Sequence, residues 1–170
     1  PHTVRETPLH YFDESCYQMV SGYRRTVELP QTWKGKKILL TIDGAAHDAE
    51  VYWNGKKVGE HRCGYTAFTM DVSGEVLWEE ENILTVRVDS REKPKIPPFG
   101  FVVDYMTYGG LTREVWIEAR NEIYIEDAFV RGEREKDGWE VVSQIAVSRA
   151  IGQATLRQSM RQRGEEAYRP

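Results

Sequence analysis

The residues with the clearest chemical potential lie in one stretch, Phe99 to Ala119, which reads FGFVVDYMTYGGLTREVWIEA. A single carboxylate, Asp104, stands there among aromatic residues, ahead of a turn at Gly109-Gly110 and an alternating strand. The segment from Ser90 to Thr112 shows little sign of regular structure, and loops of that length in compact domains are usually functional or disordered. The aromatic residues argue against disorder. We therefore interpret Asp104 as a ligand-binding residue.

The surroundings of Asp104 match the chemistry of sugar recognition. A carboxylate accepts hydrogen bonds from two hydroxyl groups at once, and a hydrogen bond to a charged group contributes about 1.5–3 kcal/mol. Aromatic rings pack on the apolar C–H face of a pyranose, and the loop contains Phe99, Phe101, Tyr105 and Tyr108. The alternative is that Asp104 caps a turn or pairs with Arg113.

The cysteine and histidine residues indicate neither a metal site nor a disulfide framework. Cys16 and Cys63 lack a CxxC or zinc-ligand spacing, so we expect free thiols. The histidines are dispersed along the chain, at His2, His10, His47 and His61. We expect no metal and no cofactor in this chain.

Charge and hydropathy exclude two classes of partner. The 170 residues include 23 basic and 27 acidic ones, for a net charge of −4, with the signs interspersed, which argues against nucleic-acid binding. No apolar stretch approaches the roughly 18 residues of a membrane helix, and PHTVRETPLH at the start lacks the basic-then-apolar pattern of a signal peptide. We expect a cytoplasmic protein. Because the sequence begins at Pro1 rather than Met, we also expect it to be a fragment.

An apolar and polar alternation with a period of two dominates the chain and predicts an all-β protein. Asn54-Gly55 is a strong hairpin signal, because both central residues of a type I′ turn need positive φ. The acidic run at 79–81 is interpreted as a hairpin turn in water. The predicted strands are YRRTVEL (23–29), KILLTID (37–43), AEVYW (49–53), NILTVRV (82–88), REVWIEA (113–119), IYIEDAFV (123–130) and WEVVSQIAV (139–147).

The number of strands predicts two packed sheets, as a sandwich or jelly roll, over most of the first 120 residues. A new series of strands starts after Asn121-Glu122. Its roughly 50 residues are about half of an immunoglobulin-like sandwich, which needs near 100. In the arginine-rich C-terminal stretch, Leu156 and Met160 alternate with Thr155, Arg157, Ser159 and Arg161, which is typical of the solvated face of a strand and not of a nucleic-acid patch.

Several motifs occur in the order found in a known family. GYRRTVELP, KGKKILLTIDGAAHDAEVYWNGKKVGEHRCGYTAF, NILTVRV and DYMTYGGLTREVWIEA together resemble the N-terminal sugar-binding domain of glycoside hydrolase family 2, the β-galactosidase and β-glucuronidase family. The resemblance implies a galactose-binding-like jelly roll over 1–120, with its first strand missing. It also implies a partial immunoglobulin-like domain over 121–170.

The resemblance also implies a role for Asp104. In the family, the acid before the Gly-containing turn reaches into the active site of a (β/α)8 barrel and holds the terminal sugar. Gly109, Gly110 and Arg113 match the same motif, and we assign them to the turn and the start of the strand. Galactosidases of the family often carry an Asn-Pro-x-Gly segment before the first motif, where this chain has Gln18 and no proline. This departure weakens an assignment to galactosides over glucuronides.

Glycoside hydrolysis requires two carboxylates, about 5–5.5 Å apart for retention of configuration. In the family both come from the barrel, which this chain lacks, and we interpret Asn121-Glu122 as a linker. The prediction is therefore the N-terminal region of a retaining exo-β-glycosidase, β-galactosidase-like, with no catalytic residue of its own. The magnesium and sodium sites of the family's galactosidases lie in the barrel. Family members form dimers and tetramers, so a homo-oligomer is a possible state.

Three alternatives remain open. The chain could come from a β-glucuronidase, or it could be a free-standing carbohydrate-binding module. Such modules usually expose planar tryptophan platforms, whereas the five tryptophans here are scattered among strands and turns. It could also be a structural or interaction domain, in which Asp104 would be idle.

Overall fold

The computed structural model describes residues 18–97, 107–150 and 152–159. The regular elements in these ranges are β-strands and two short 3-10 helices, Gln31–Trp33 and Ser73–Glu75. The all-β prediction is confirmed. The strands are β1 (Val20–Val27), β2 (Lys37–Ile42), β3 (Ala45–Ala46), β4 (Asp48–Trp53), β5 (Lys56–His61), β6 (Phe68–Asp71), β7 (Asn82–Asp89), β8 (Gly110–Leu111), β9 (Val115–Arg120), β10 (Ile125–Glu135) and β11 (Gly138–Val147).

The chain divides into two compact units, residues 1–122 and 123–170. The first unit contains a four-stranded sheet in the order β1-β7-β4-β5, a three-stranded sheet in the order β6-β2-β9, and the short pair β3-β8. All pairings are antiparallel. The two larger sheets enclose one hydrophobic core, as predicted for a β-sandwich.

Alternation along the strands builds this core. In β7, Leu84, Val86 and Val88 are buried and lie on one face, opposite a similar apolar row on β4. Strand β2 is buried at almost every position. It is the central strand of its sheet, with β6 on one side and β9 on the other. The other fully buried apolar side chains of these strands are Ile38, Leu40, Ile42, Ala49, Val51 and Trp53.

The hairpin prediction at Asn54-Gly55 is confirmed. β4 and β5 pair across these two residues, whose φ angles are 51° and 82°. Positive φ at both positions is what a type I′ turn demands, and glycine adopts it without steric cost.

Two local predictions are wrong. The acidic run at 79–81 is a turn, but it joins no hairpin, because β6 pairs with β2 whereas β7 lies between β1 and β4. The segment therefore crosses from one sheet to the other. Residues 154–159 were expected to be a strand, yet they form none and are exposed. Among the described residues no neighbouring strand supplies the ladder hydrogen bonds that an extended segment needs.

The edge strands β1 and β9 flank a cleft of about 820 Å³. Arg25 lies on the inward-facing side of β1, directly opposite the buried Leu84. Inward-pointing charges on edge strands discourage pairing with foreign strands. The expectation that a first strand is missing from this sandwich stays a prediction.

The second unit is built on the β10-β11 hairpin, which pairs from Ile125 and Val147 to Glu135 and Gly138. Large apolar side chains are exposed on it, with Trp139 at 72%. Its assignment to an immunoglobulin-like domain stays a prediction. No helix in the described ranges has the length and apolar character to cross a membrane.

One buried amide joins three segments at one end of the core. The Asn82 side chain is fully buried, and its Oδ1 accepts hydrogen bonds from Trp53 Nε1 at 3.1 Å, Asn54 Nδ2 at 2.9 Å and Leu77 N at 2.8 Å. Its Nδ2 donates to Leu77 O at 2.9 Å. The amide therefore joins the end of β4, the hairpin turn and the crossing segment.

Replacement of Asn82 by alanine is expected to destabilise the first unit by at least about 2 kcal/mol, because three donors would lose a buried acceptor. Urea unfolding measured by tryptophan fluorescence would test this. The exposed Asn121→Ala is the matched control and should change stability by less than about 0.5 kcal/mol. Equal stability of the two variants would contradict the assignment.

Candidate functional site

Asp104 lies outside the described residues, as do Phe99, Phe101 and Tyr105. The structure does describe both ends of their segment, up to Pro97 and from Thr107. The candidate site can therefore be built from the residues that hold these two ends. We call this set, Ala46, Asp48, Asp89, Ser90, Lys93 and Gly110, the loop base.

A buried hydroxyl group joins the two ends of the loop. Ser90 Oγ donates a hydrogen bond to Ala46 O at 2.8 Å and accepts one from Gly110 N at 3.0 Å. Ser90 precedes the loop and Gly110 follows it, so one side chain links the exit from β7 to the entry of β8 through β3. Both contacts are buried, where hydrogen bonds are costly to leave unmade.

Strand β8 fixes the direction in which the chain leaves the loop. Gly110 has φ 87° and pairs with Ala46, a backbone angle that residues with a Cβ rarely adopt. Leu111 N donates to Tyr23 Oη at 3.3 Å. Gly110 thus begins a strand rather than serving only as a turn. Arg113 follows, and its Nη1 donates to Tyr65 O at 3.1 Å.

An ion-pair cluster holds the first part of the loop. Asp89 is only 2% exposed. Its carboxylate accepts hydrogen bonds from Arg91 Nε at 2.9 Å and Arg91 Nη2 at 2.8 Å. Lys93 Nζ lies 3.2 Å from Asp89 Oδ2 and 2.5 Å from Asp48 Oδ2. Lys93 thereby ties the loop to the start of β4.

The cluster changes the acidity of its members. The bidentate Arg91 guanidinium holds the pKa of Asp89 far below its usual range, although burial acts in the opposite direction. The Asp48 carboxylate raises the pKa of Lys93. Asp89, Arg91 and Lys93 are therefore charged at neutral pH.

The segment after β5 packs beside the loop base. His61 stacks on Phe68, with ring centroids 4.4 Å apart, and shares a 2.8 Å hydrogen bond with Thr66 Oγ1. A Cβ at Gly64 would lie 2.9 Å from His47 Nδ1, so only glycine allows this approach. Cys63 is a free thiol, with its pKa lowered by a hydrogen bond from Thr66. In the described part of the chain, no group of three or more His, Cys, Asp or Glu residues could hold a metal ion.

The sequence contained a signal for Ser90 that pattern reading missed. Ser90 continues the alternation of Leu84, Val86 and Val88, whose side chains point into the core. A polar side chain at such an inward position must find hydrogen-bond partners inside the protein. Asp89 and Lys93 carried no such signal. Their pairing depends on Asp48, which is 45 residues from Lys93 along the chain.

Replacement of Ser90 by alanine is expected to cost about 1–3 kcal/mol of stability and to speed hydrogen exchange at the Gly110 amide, because this amide would lose its acceptor. Exchange followed by NMR would measure both local and global effects. Ser159→Ala, at an exposed position, is the control. Unchanged protection of the Gly110 amide would contradict the proposed link.

The lowered pKa of Asp89 predicts acid sensitivity. A carboxyl group whose pKa is lower in the folded state stabilises the protein above its unfolded pKa, and this contribution disappears as the pH falls towards the folded value. The Asp89→Asn variant should be less stable than wild type at pH 7. It should also lose less stability between about pH 5 and pH 2. Thermal unfolding across this range measures both slopes, and parallel slopes would contradict the prediction.

The first unit coincides with a region that is similar to known proteins. Residues 7–121 match the family described as glycosyl hydrolases family 2, sugar binding domain. The chain is 39% identical over 152 residues to a β-galactosidase of Thermoanaerobacter pseudethanolicus, covering 89% of this chain and 20% of that protein. It is 35% identical over 106 residues to a β-glucuronidase of Bacteroides fragilis, covering 62% of this chain and 15% of that protein.

Solved structures agree with the sequence comparisons. The β-D-glucuronidase of Dictyoglomus thermophilum aligns with a TM-score of 0.69 at 27% identity, over 78% of this chain and 26% of that one. A putative β-galactosidase from Bacteroides fragilis aligns with a TM-score of 0.71 at 26% identity, over 77% of this chain and 20% of that one. The chain thus spans about a fifth of the length of its galactosidase relative. The sandwich fold and the match over residues 7–121 show that the chain belongs to glycosyl hydrolase family 2 and contains the sugar-binding domain of that family.

Proposed function

We propose that this chain is the sugar-binding region of a longer retaining exo-β-glycosidase, most similar to β-galactosidases, in which Asp104 holds the terminal sugar. The observation that carries the proposal is the 39% identity to a β-galactosidase over 89% of the chain. Because the chain spans about a fifth of that relative, hydrolysis belongs to the longer protein and not to this chain alone.

The loop base supports a binding role for the segment that contains Asp104. The Ser90 hydroxyl and the Asp89 and Lys93 ion pairs hold the ends of the segment on the rigid sandwich. Binding residues commonly lie on loops that a rigid scaffold positions. In this role the Asp104 carboxylate accepts hydrogen bonds from two sugar hydroxyls, and the aromatic residues near it in the sequence supply a surface for the pyranose ring.

The chemical step needs groups from elsewhere. Retaining hydrolysis uses one carboxylate as nucleophile and a second as acid and then base, about 5–5.5 Å apart. We place both on a (β/α)8 barrel outside these 170 residues. The role of this chain is to bind and orient the non-reducing sugar, so that binding energy contributes to the transition state.

A β-glucuronidase is the second candidate. The similarity to the glucuronidases of Bacteroides fragilis and Dictyoglomus thermophilum favours it, as does the absence of the Asn-Pro-x-Gly segment near Gln18. A free-standing binding module receives less support. Trp53 is buried, Trp33 and Trp78 pack against the core, and the exposed Trp116 and Trp139 belong to different units.

Kinetics of the longer protein that contains these residues would test the proposal. We expect Asp104→Ala to lower kcat/KM by about 10- to 100-fold, the effect of losing hydrogen bonds to a charged group. Hydrolysis of aryl β-galactoside and aryl β-glucuronide should be measured in parallel. The substrate that the wild type cleaves identifies the sugar.

Asp127→Ala, an exposed acid on β10, is the matched control and should keep full activity. If Asp104→Ala is folded and as active as wild type, Asp104 does not hold the sugar. If neither aryl glycoside is cleaved, and the chain alone binds galactose or glucuronate, the binding module becomes the better account.

A further inference from the structure

A second concave site lies beside the loop base. The turn from Lys93 to Ile96 closes with a 3.0 Å hydrogen bond between Ile96 N and Lys93 O. This turn, together with Asp48 and Arg62, lines a pocket of about 370 Å³. That volume is within the range of small-molecule sites and accommodates a single sugar ring.

The pocket is strongly basic in a chain of net charge −4. Three cations line it, Arg62, Lys93 and Lys95, against the single carboxylate of Asp48. The charge of Lys93 is matched by Asp48 and Asp89, at 2.5 and 3.2 Å. Arg62 is paired only at distances beyond a hydrogen bond, and Lys95 is exposed, so the donors of these two cations are the ones open to an anion.

These two cations are accessible. The side chain of Arg62 is 67% exposed, and its nearest carboxylates, Asp48 and Glu60, lie at 3.8 and 3.9 Å. Within the part of the chain that the structure describes, Lys95 forms no ion pair. A guanidinium group with free donors binds a carboxylate or sulfate through two parallel hydrogen bonds.

The remaining walls distinguish a sugar from a bare anion. Pro94 supplies an exposed apolar surface, and the buried Ile96, at 6% exposure, anchors the turn that carries it. Such a surface suits the C–H face of a pyranose. Asp48 adds carboxylate oxygens, which accept hydrogen bonds from hydroxyl groups.

We propose that this pocket binds an anionic pyranose, with the carboxylate or sulfate group at Arg62 and Lys95 and the ring against Pro94. The choice of a sugar over other anions rests on the proposed function. The pocket proposal and the proposed function can nevertheless fail separately. Binding to the pocket is measured on the 170-residue chain, whereas the proposed function is measured as hydrolysis by the longer protein.

The test is an NMR titration of the isotope-labelled chain at constant ionic strength. The probes are sodium glucuronate and galactose 6-sulfate, with glucose and galactose as neutral counterparts and sodium sulfate as a simple anion. We expect saturable shifts at the amides of Arg62, Lys95 and Ile96 for at least one acidic sugar, with a Kd of about 1–20 mM. The acidic sugar that binds identifies the anionic group.

Charge variants make the test specific. Lys95→Gln and Arg62→Gln should each weaken binding by about fivefold or more, because each removes a charged hydrogen-bond donor. Lys36→Gln removes the same charge just before β2, at the end of that strand remote from β3, and should leave the Kd unchanged. All three positions are exposed, so the variants should remain folded.

Four results would overturn the inference. Neutral sugars could produce the same shifts, which would mean that the anionic group is not recognised. Sodium sulfate could produce shifts as large as those of the acidic sugars, which would mean an adventitious ion only. Lys36→Gln could weaken binding as much as Lys95→Gln, which would reduce the effect to net charge. Finally, the acidic sugars could cause no shifts at concentrations up to about 50 mM, while a glutamate-rich peptide shifts the same amides. The pocket would then be a protein-docking site.

Discussion

The first unit depends on the burial of polar side chains at the two ends of strand β7. Asn82 at its start and Ser90 just after its end share the inward phase of the apolar residues between them. A buried polar group is tolerated only when its hydrogen bonds are made. Asn82 meets this requirement with Trp53 and Leu77, and Ser90 meets it with Ala46 and Gly110. Each end of β7 therefore anchors the residues that adjoin it.

The two ends serve different purposes. At the Asn82 end the amide joins the hairpin turn to the segment that crosses between the sheets, which stabilises the sandwich itself. At the Ser90 end the hydroxyl and the neighbouring ion pairs hold a long loop on that sandwich. Stabilisation of the core and anchoring of the segment after β7 are thus separated along one strand.

Much of the fold could be predicted from the sequence, because it follows from local rules. The period of two places Leu84, Val86 and Val88 in the core, and Asn54-Gly55 specifies its turn by backbone sterics alone. The predictions failed where the answer depended on a distant partner. The acidic run at 79–81 was misread because the alternation of a strand does not reveal which sheet it joins. Residues 154–159 have a strand's alternation but no neighbour in the described ranges.

The candidate site was less predictable, because electrostatic contacts join residues remote in sequence. Asp48 and Lys93 are ordinary surface charges in the sequence, and only the antiparallel pairing of β4 with β7 brings the start of one strand to the end of the other. That pairing also decides the charge of the neighbouring pocket. Asp48 pairs closely with Lys93, at 2.5 Å, and lies 3.8 Å from Arg62, so Arg62 and Lys95 keep donors that can act on an anion. A carboxylate that stabilises the loop therefore also sets which cations remain available, so the position of the loop and the chemistry beside it are consequences of one strand register.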